Sequence, residues 1–344
     1  MEIGIYTLGD LAVDPSTNET IDPNQRMEEV IEAAKLADDL GLDVFGVGEH
    51  HRLDFVISTP AVVLSAIARE TKNIRLTSAT TVLSTTDPVR LYEEFATVDL
   101  LSQGRAEMMA GRGAFLEPFE LFGYELAAFD GLFKEHMDLF LQLNRREQLD
   151  WEGKYRSPLK NAQIAPRAYQ KEIPVWIGVG GSVDSAVRAG TFGSGLAMAI
   201  LSGDPERFIP LAKAYKKAFQ EAGHDEKQMR IGVTGHGFIA ETSEAAHDIF
   251  YPYYKQYKTA AKKRKDPDFE LTRELFESWT APEGALFVGS PEEIADKIVY
   301  QHEHFGHDRC LLQLDVGGVP FEHITRSIEL LANKVVPMVK ERLQ

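Results

Sequence analysis

Short hydrophobic runs alternate along this chain with longer stretches in which apolar residues recur at helical spacing. The first run is Glu2-Ile-Gly-Ile-Tyr6. A polar loop through Asp14-Pro15 and Asp22-Pro23 leads to Met27, Val30, Ile31, Ala34 and Ala37, which share one helical face. That helix stops at Gly41, and Asp43 opens a second run, Val44-Phe-Gly-Val-Gly-Glu49-His50-His51-Arg52. Thr59-Pro60 supplies a cap and an N1 proline for the helix that follows. A third run extends from Asn73 to about Leu83. Asp87-Pro88 caps a helix with Val89, Leu91, Phe95, Val98 and Leu101, and Ala106–Ala110 is a fourth strand ending in Gly111-Arg112-Gly113.

A helix near Ala128–Glu147 and a small hairpin around Trp151–Tyr155 interrupt the alternation, which resumes with Ile173–Ile177 and a helix from about Ser182. Gly195–Ile200 is a sixth strand, with Asp204-Pro205-Glu206 capping the next helix, and Arg230–Thr234 is a seventh. A long helix with Phe250, Tyr253, Tyr254 and Tyr257 precedes an irregular stretch, Lys265–Leu286. Ser290-Pro-Glu-Glu293 starts a helix with a capping box, Asp308–Leu314 is the eighth strand, and an amphipathic helix closes the chain. Eight strands, each followed by a helix, predict an α/β fold of the (β/α)8 TIM-barrel type with insertions. With no internal repeat or low-complexity linker, residues 1–344 are expected to form a single domain.

Composition narrows the function. The formal charge is −16, and no basic stretch is interleaved with aromatics, which speaks against nucleic acid or an anionic membrane as partner. The basic run Lys262-Lys263-Arg264-Lys265 reads as a solvated helix end. A single cysteine, Cys310, excludes an internal disulfide and a multi-thiolate metal site, and its apolar run predicts a buried structural thiol. No apolar stretch is long enough to span a bilayer, so a cytoplasmic protein is expected.

The candidate chemistry sits at strand ends, where a parallel barrel builds its active site. His50 and His51 are adjacent and point to opposite sides of an extended chain, so they do not share a metal, and no metal site is expected. One histidine facing the barrel mouth suits acid–base work or hydrogen bonding to a ligand. His236, near the end of the seventh strand, is a further candidate for that cavity, and Glu49 is placed either to orient an imidazole or to bond a loop amide. Gly178-Val-Gly180-Gly181-Ser182 lies between a strand and a helix, where free N–H groups make an anion site. The same turn equally serves tight packing alone. Arg112 between Gly111 and Gly113 adds a planar cation suited to phosphate.

Together these segments resemble the bacterial luciferase-like flavin monooxygenase family. The resemblance rests on Gly48-Glu-His-His51, Thr81-Val-Leu-Ser-Thr-Thr-Asp-Pro-Val-Arg90, Asp99-Leu-Leu-Ser-Gln-Gly-Arg105, Gly111-Arg-Gly113, Gly180-Gly-Ser182, Val288-Gly-Ser-Pro-Glu-Glu293 and Leu312-Gln-Leu-Asp315, in order along nearly the whole chain. It implies a TIM barrel that holds FMN at the carboxyl ends of its strands, with His50 as the active-site histidine. It also implies a phosphate site among Arg112, Gly180, Gly181 and Ser182, and a non-proline cis peptide at Ala79-Thr80 beneath the flavin ring. A mobile loop over about residues 255–286, a homodimer and a separate flavin reductase supplying the reduced cofactor are further implications. Gly111 stands where several luciferases carry a small apolar residue or cysteine.

The activity this resemblance implies is oxidation of a small organic substrate by reduced FMN and O2. Two alternatives stand beside it: hydride transfer with the deazaflavin F420, and a non-catalytic flavin-binding protein on the same barrel. Tyr6, Phe115, Phe119 and Trp279 are expected either to wall the substrate pocket or to join the core.

Overall fold

The structure is a computed structural model that describes residues 1–113, 115–263 and 266–344. Eight parallel strands form its centre: β1 (Glu2–Thr7), β2 (Val44–Val47), β3 (Arg75–Ser78), β4 (Ala106–Gly111), β5 (Val175–Val179), β6 (Gly195–Ala199), β7 (Ile231–Ile239) and β8 (Arg309–Gln313). Each pairs with the next, and β8 also pairs with β1, so the sheet closes without an edge. This is the (β/α)8 barrel expected from the alternation.

The helices used below are α1 (Pro23–Asp39), α2 (Pro60–Glu70), α3 (Pro88–Ser102), α4 (Phe129–Arg145), α5 (Val183–Phe192), α6 (Ile209–Glu221), α7 (Ser243–Lys263), α8 (Arg273–Thr280), α9 (Pro291–Phe305) and α10 (Phe321–Leu330). Local chemistry sets their starts. Asp22 accepts from the amides of Asn24 and Gln25, Asp87 from those of Val89 and Arg90, and Ser290 forms a full capping box with Glu293. Thr59 departs from expectation, because its side chain makes no capping bond and Pro60 alone opens α2. Asp204 caps a 3-10 turn, Pro205–Phe208, and α6 begins only after it.

Two strand readings change, and the stretch after α7 gains a helix. The third strand stops at Ser78; after Ala79 and Thr80 the chain resumes pairing with β4 only at Thr81–Val82. The seventh strand continues to Ile239, and a short strand, Phe287–Gly289, pairs along its end. Within the stretch expected to be irregular, Lys265–Leu286, one helix forms among the described residues, α8 (Arg273–Thr280), while α7 ends just before it at Lys263. Leu271 and Phe276 are completely buried there, Phe276 against Phe250, Tyr251 and Tyr254, which binds this segment into the core. Of the basic run, Lys262 is exposed near the end of α7, while Arg264 and Lys265 lie outside the described residues. Trp151–Tyr155 does belong to a two-stranded antiparallel excursion, Gln148–Trp151 with Leu159–Gln163.

Polar groups fill the lower barrel. Glu107 of β4 accepts a bidentate pair from Arg309 of β8 (2.5 and 3.1 Å), a bond from Arg75 (2.9 Å) and another from the indole of Trp176 (3.2 Å). The Arg309 guanidinium also lies 4.3 Å from the Trp176 ring centroid. Above this layer Tyr6, Val44, Met109, Trp176, Ala197 and Leu311 pack together, with Leu8 and Ala79 against them. Ala79 thus forms part of the floor of the barrel mouth. Cys310 is fully buried in the surrounding core, and burial pushes its thiol up to about 12, as a structural role requires.

Candidate active site

His50 follows β2 and turns into the barrel mouth between two aromatic rings. Phe55 stacks on it at 4.1 Å and 17°, and Phe115 meets it edge-on at 5.2 Å. Its Nδ1 is buried without a hydrogen-bond partner in the protein. Burial lowers its pKa to about 4, with Asp54 opposing and Arg52 and His51 reinforcing the shift, so the ring is neutral at pH 7. Arg52 fixes this wall by pairing with Asp54 (2.8 Å) and Glu117 (2.6 Å) and covering Phe115 at 4.9 Å.

Glu49 does both things the sequence left open, but for the other histidine. Its Oε1 lies 2.8 Å from His51 Nε2, and its Oε2 accepts from the Val82 amide at 2.9 Å. His51 points away from the mouth, against Phe122. His236 is fully buried on β7, bonded through Nδ1 to the Tyr254 hydroxyl and flanked by Tyr257. Burial, reinforced by the Lys258 charge, lowers its pKa to about 3. Neither Glu49, His51 nor His236 is hydrogen-bonded to His50.

The peptide between Ala79 and Thr80 is cis. Glycines surround it. A Cβ on Gly48 would lie 3.2 Å from the Ala79 carbonyl, one on Gly111 2.3 Å from Thr80 Oγ1, and one on Gly178 2.8 Å from Thr80 Cγ2. Three strand ends therefore close on Ala79-Thr80 only because they carry no side chain there. This packing links the His50 loop on one side to Arg112 and the β5 turn on the other.

At that turn Gly180 and Gly181 have open space where a Cβ would stand, and Gly181 has φ +127°, a conformation reserved for glycine. Ser182 is the N-cap of α5, yet its side chain makes no capping bond, so the first amides of α5 retain donors for a ligand. Arg112 donates to Ser185 Oγ (3.0 Å) and to Asp130 (2.7 Å), and lies 5.0 Å from the Phe129 ring centroid. Arg188 reaches the same Asp130 carboxylate at 3.3 Å. Two guanidiniums, two serines and a helix start thus converge, a donor set that fits a phosphate monoester. Ser185, Arg188 and Asp130 escaped the sequence reading. Ser182, Ser185 and Arg188 recur every third residue and so share one face of α5, the signal that points to them.

A second buried polar group borders the mouth. Thr7 and Arg26 both donate to Asp315 Oδ2, and Asp10 Oδ2 accepts from Gly317 N at 3.3 Å. The other carboxyl oxygen of each aspartate is buried without a partner. Burial and the Asp315 charge raise the Asp10 pKa to about 7. Backbone pairing of Asp10 with Phe55 connects this group to the ring stacked on His50. Of the expected wall residues, Phe115 contacts His50, Tyr6 belongs to the lumen, Trp279 is half-buried, and Phe119 is core against Phe129.

A (β/α)8 barrel whose mouth joins an aromatic-walled histidine to an anion-binding donor set is the architecture of an oxidoreductase family. Residues 1–308 match the family model for luciferase-like monooxygenases, and the chain belongs to that family. The oxygenase component of a flavin-dependent trigonelline monooxygenase from Acinetobacter baylyi is 24% identical over 340 residues, covering 92% of this chain and 91% of that one. Among solved structures, the oxygenating constituent of 3,6-diketocamphane monooxygenase from Pseudomonas putida, in complex with FMN, superposes with a TM-score of 0.80 at 20% identity and 98% coverage of both chains. An F420-dependent secondary alcohol dehydrogenase superposes at 0.75 with 16% identity, again covering 98% of each. Among the described residues no helix is long and apolar enough to cross a membrane.

Proposed function

We propose that this protein is the oxygenase of a two-component FMN-dependent system that oxidises a small organic substrate. The observation carrying the reading is the presence in one barrel mouth of a neutral, aromatic-walled His50 and a two-arginine anion cradle. Arg112, Arg188, Ser182, Ser185 and the amides after Gly180 and Gly181 would hold the FMN phosphate, and Ala79 and Thr80 would support the ring. Bound reduced FMN would supply the electrons that activate O2.

The chain's own residues then have defined tasks. Phe55 and Phe115 exclude water from one side of His50. His50, uncharged at neutral pH, keeps one ring proton and one lone pair, and its unpaired Nδ1 hydrogen-bonds a substrate or cofactor oxygen. Arg112 and Arg188 exchange Asp130 for a phosphate of higher charge. A separate reductase as partner is supported by the relative named as an oxygenase component. A homodimer is an extension from the family resemblance, and a cytoplasmic setting is an extension from the sequence, whose single cysteine allows no internal disulfide.

Equilibrium binding of oxidised FMN, reduced FMN and F420, followed by fluorescence quenching, tests the reading. Binding of FMN in preference to F420, weakened about tenfold to a hundredfold by Arg112→Ala while riboflavin is unaffected, is the expected result. A preference for F420 would move the chemistry to hydride transfer, and binding of neither would remove the flavoenzyme assignment.

A further inference from the structure

Among the described residues two lysines are deeply buried, Lys297 and Lys258, and their surroundings are opposite. Lys297 of α9, 3% exposed, has the environment of a structural lysine: its ammonium donates to the carbonyls of Thr280 (2.9 Å) and Leu286 (2.7 Å), and the charges acting on it are the carboxylates of Glu293 and Glu283. Lys258 of α7, 7% exposed, has neither support. Among the described residues its one hydrogen bond is a long 3.4 Å contact to the Leu201 carbonyl, although an ammonium has three donors. The charges acting on it, Lys262 and Arg207, are both positive, and among the described residues no carboxylate offsets them. Two aromatic faces, Tyr254 at 5.9 Å and Trp279 at 5.4 Å, complete its contacts. Cation–π attraction at such distances replaces only part of the hydration lost on burial.

Its place in the fold puts this unbalanced cation at the barrel mouth. Leu201 comes just after the carboxyl end of β6, and the Tyr254 hydroxyl that shares the Leu201 carbonyl also bonds His236 of β7. His236 lies two residues beyond Thr234, whose side chain bonds Tyr6 of the lumen, so alternation along β7 turns His236 to the same inner side. Tyr257, beside Lys258 on α7, lies against His236. Tyr254, Tyr257 and Lys258 thus roof the β6–β7 side of the mouth, across the barrel from His50. A buried charge is normally paired, and the missing partner here is an anion.

We propose that Lys258 is the receptor for a negatively charged head group of the substrate, so that the protein oxidises organic anions of the carboxylate class. The head group docks on Lys258 under Trp279, and the aromatic side chains Tyr6, Tyr257 and Phe55 flank the rest of the molecule on its way to His50. The inference rests on the monooxygenase reading only in calling the anion a substrate; the site itself stands without it.

Binding of benzoate and octanoate is therefore compared with that of their neutral isosteres, benzamide and octanamide, by calorimetry and by Trp279 fluorescence, with no flavin present. At least one carboxylate is expected to bind ten or more times tighter than its amide. Lys258→Met, which keeps the packed stem, should erase that gap, and Lys258→Arg should restore it. Thermal unfolding of each variant confirms that it is folded. Equal binding of acid and amide, no binding of either, or a gap that survives Lys258→Met overturns the proposal. Reduced FMN is titrated separately into wild type and Lys258→Met. A loss confined to reduced FMN would assign the anion to the cofactor and also overturn the proposal, whereas absence of FMN binding altogether would sink only the flavoenzyme reading.

Discussion

Glu49 Oε1 and His51 Nε2 lie 2.8 Å apart, and this contact separates the roles of two neighbouring histidines. His51 is tied down as a strut, while His50 is left with an unpaired nitrogen at the mouth. The other Glu49 oxygen holds the Val82 amide, so one buried carboxylate fixes the end of β2 to the segment after β3. Glu49→Ala leaves that amide unpaired and releases the imidazole. It should destabilise the fold by about 1–3 kcal/mol, read as a lower denaturation midpoint at unchanged denaturant slope. A change below about 0.5 kcal/mol would show that the strut carries no weight.

The environment of His50 predicts a histidine that stays neutral well below its ordinary range. Burial holds its pKa near 4. In an NMR pH titration the His50 ring signals should not move between pH 6 and 8, where an unperturbed imidazole is still titrating. Phe55→Ala, which opens the stacked face to water, should move the midpoint upward. A midpoint near 6.5 in the unaltered protein would refute the neutral-ring assignment and with it the hydrogen-bonding role.

How far the sequence alone reveals this site depends on the range of each interaction. The eight strands were legible because apolar runs and capping residues such as Asp22, Asp87 and Ser290 are local signals. His50, Arg112 and the Gly180–Ser182 turn were legible because they stand at strand ends. The cis Ala79-Thr80 bond came from family resemblance and could not come from local pattern. Arg188 and Asp130 were missed because their meeting joins two helices far apart in sequence, and only the three-residue spacing on α5 hinted at it. Lys258 was invisible for a deeper reason. An amine on a helix reads as solvated until the fold shows that its neighbours are rings and other cations.

Gly111 makes the closeness of β4 to Thr80 testable. A methyl group added there would stand 2.3 Å from Thr80 Oγ1 and 2.9 Å from Thr80 Cβ, so the threonine must move. Gly111→Ala is expected to cost about 1–3 kcal/mol through overpacking. It should also weaken FMN binding, because the displaced residue borders the expected ring position. Gly41→Ala provides a contrast: the added methyl meets nothing within 4 Å, and only its φ of +77° opposes it. Equal stability of wild type and Gly111→Ala would mean that β4 and Thr80 have more freedom than their packing indicates.

The Asp10–Asp315 pair predicts a stability that depends on pH in an unusual direction for a carboxylate. Burial, then the Asp315 charge, raises Asp10 to about 7, against opposition from Arg26 and the Gly317 amide. In the unfolded chain an aspartate ionises near 3.9. Between about pH 4 and pH 7 the folded protein therefore binds a proton that the unfolded chain has released. This contribution favours folding at the acid end of that window and is lost as pH rises through 7. Asp10→Asn keeps an oxygen for the Gly317 amide and offers an N–H towards the unpaired Asp315 oxygen, without a second charge. The variant should gain stability relative to wild type as pH rises from 5 to 8, by on the order of 2 kcal/mol. Denaturant melts of both proteins at the two pH values measure it as a difference of differences, which cancels the groups they share. A constant difference would place the Asp10 proton outside the folding equilibrium. A difference that shrinks with rising pH would mean that Asp10 is ionised in the fold at neutral pH, with Arg26 serving both aspartates.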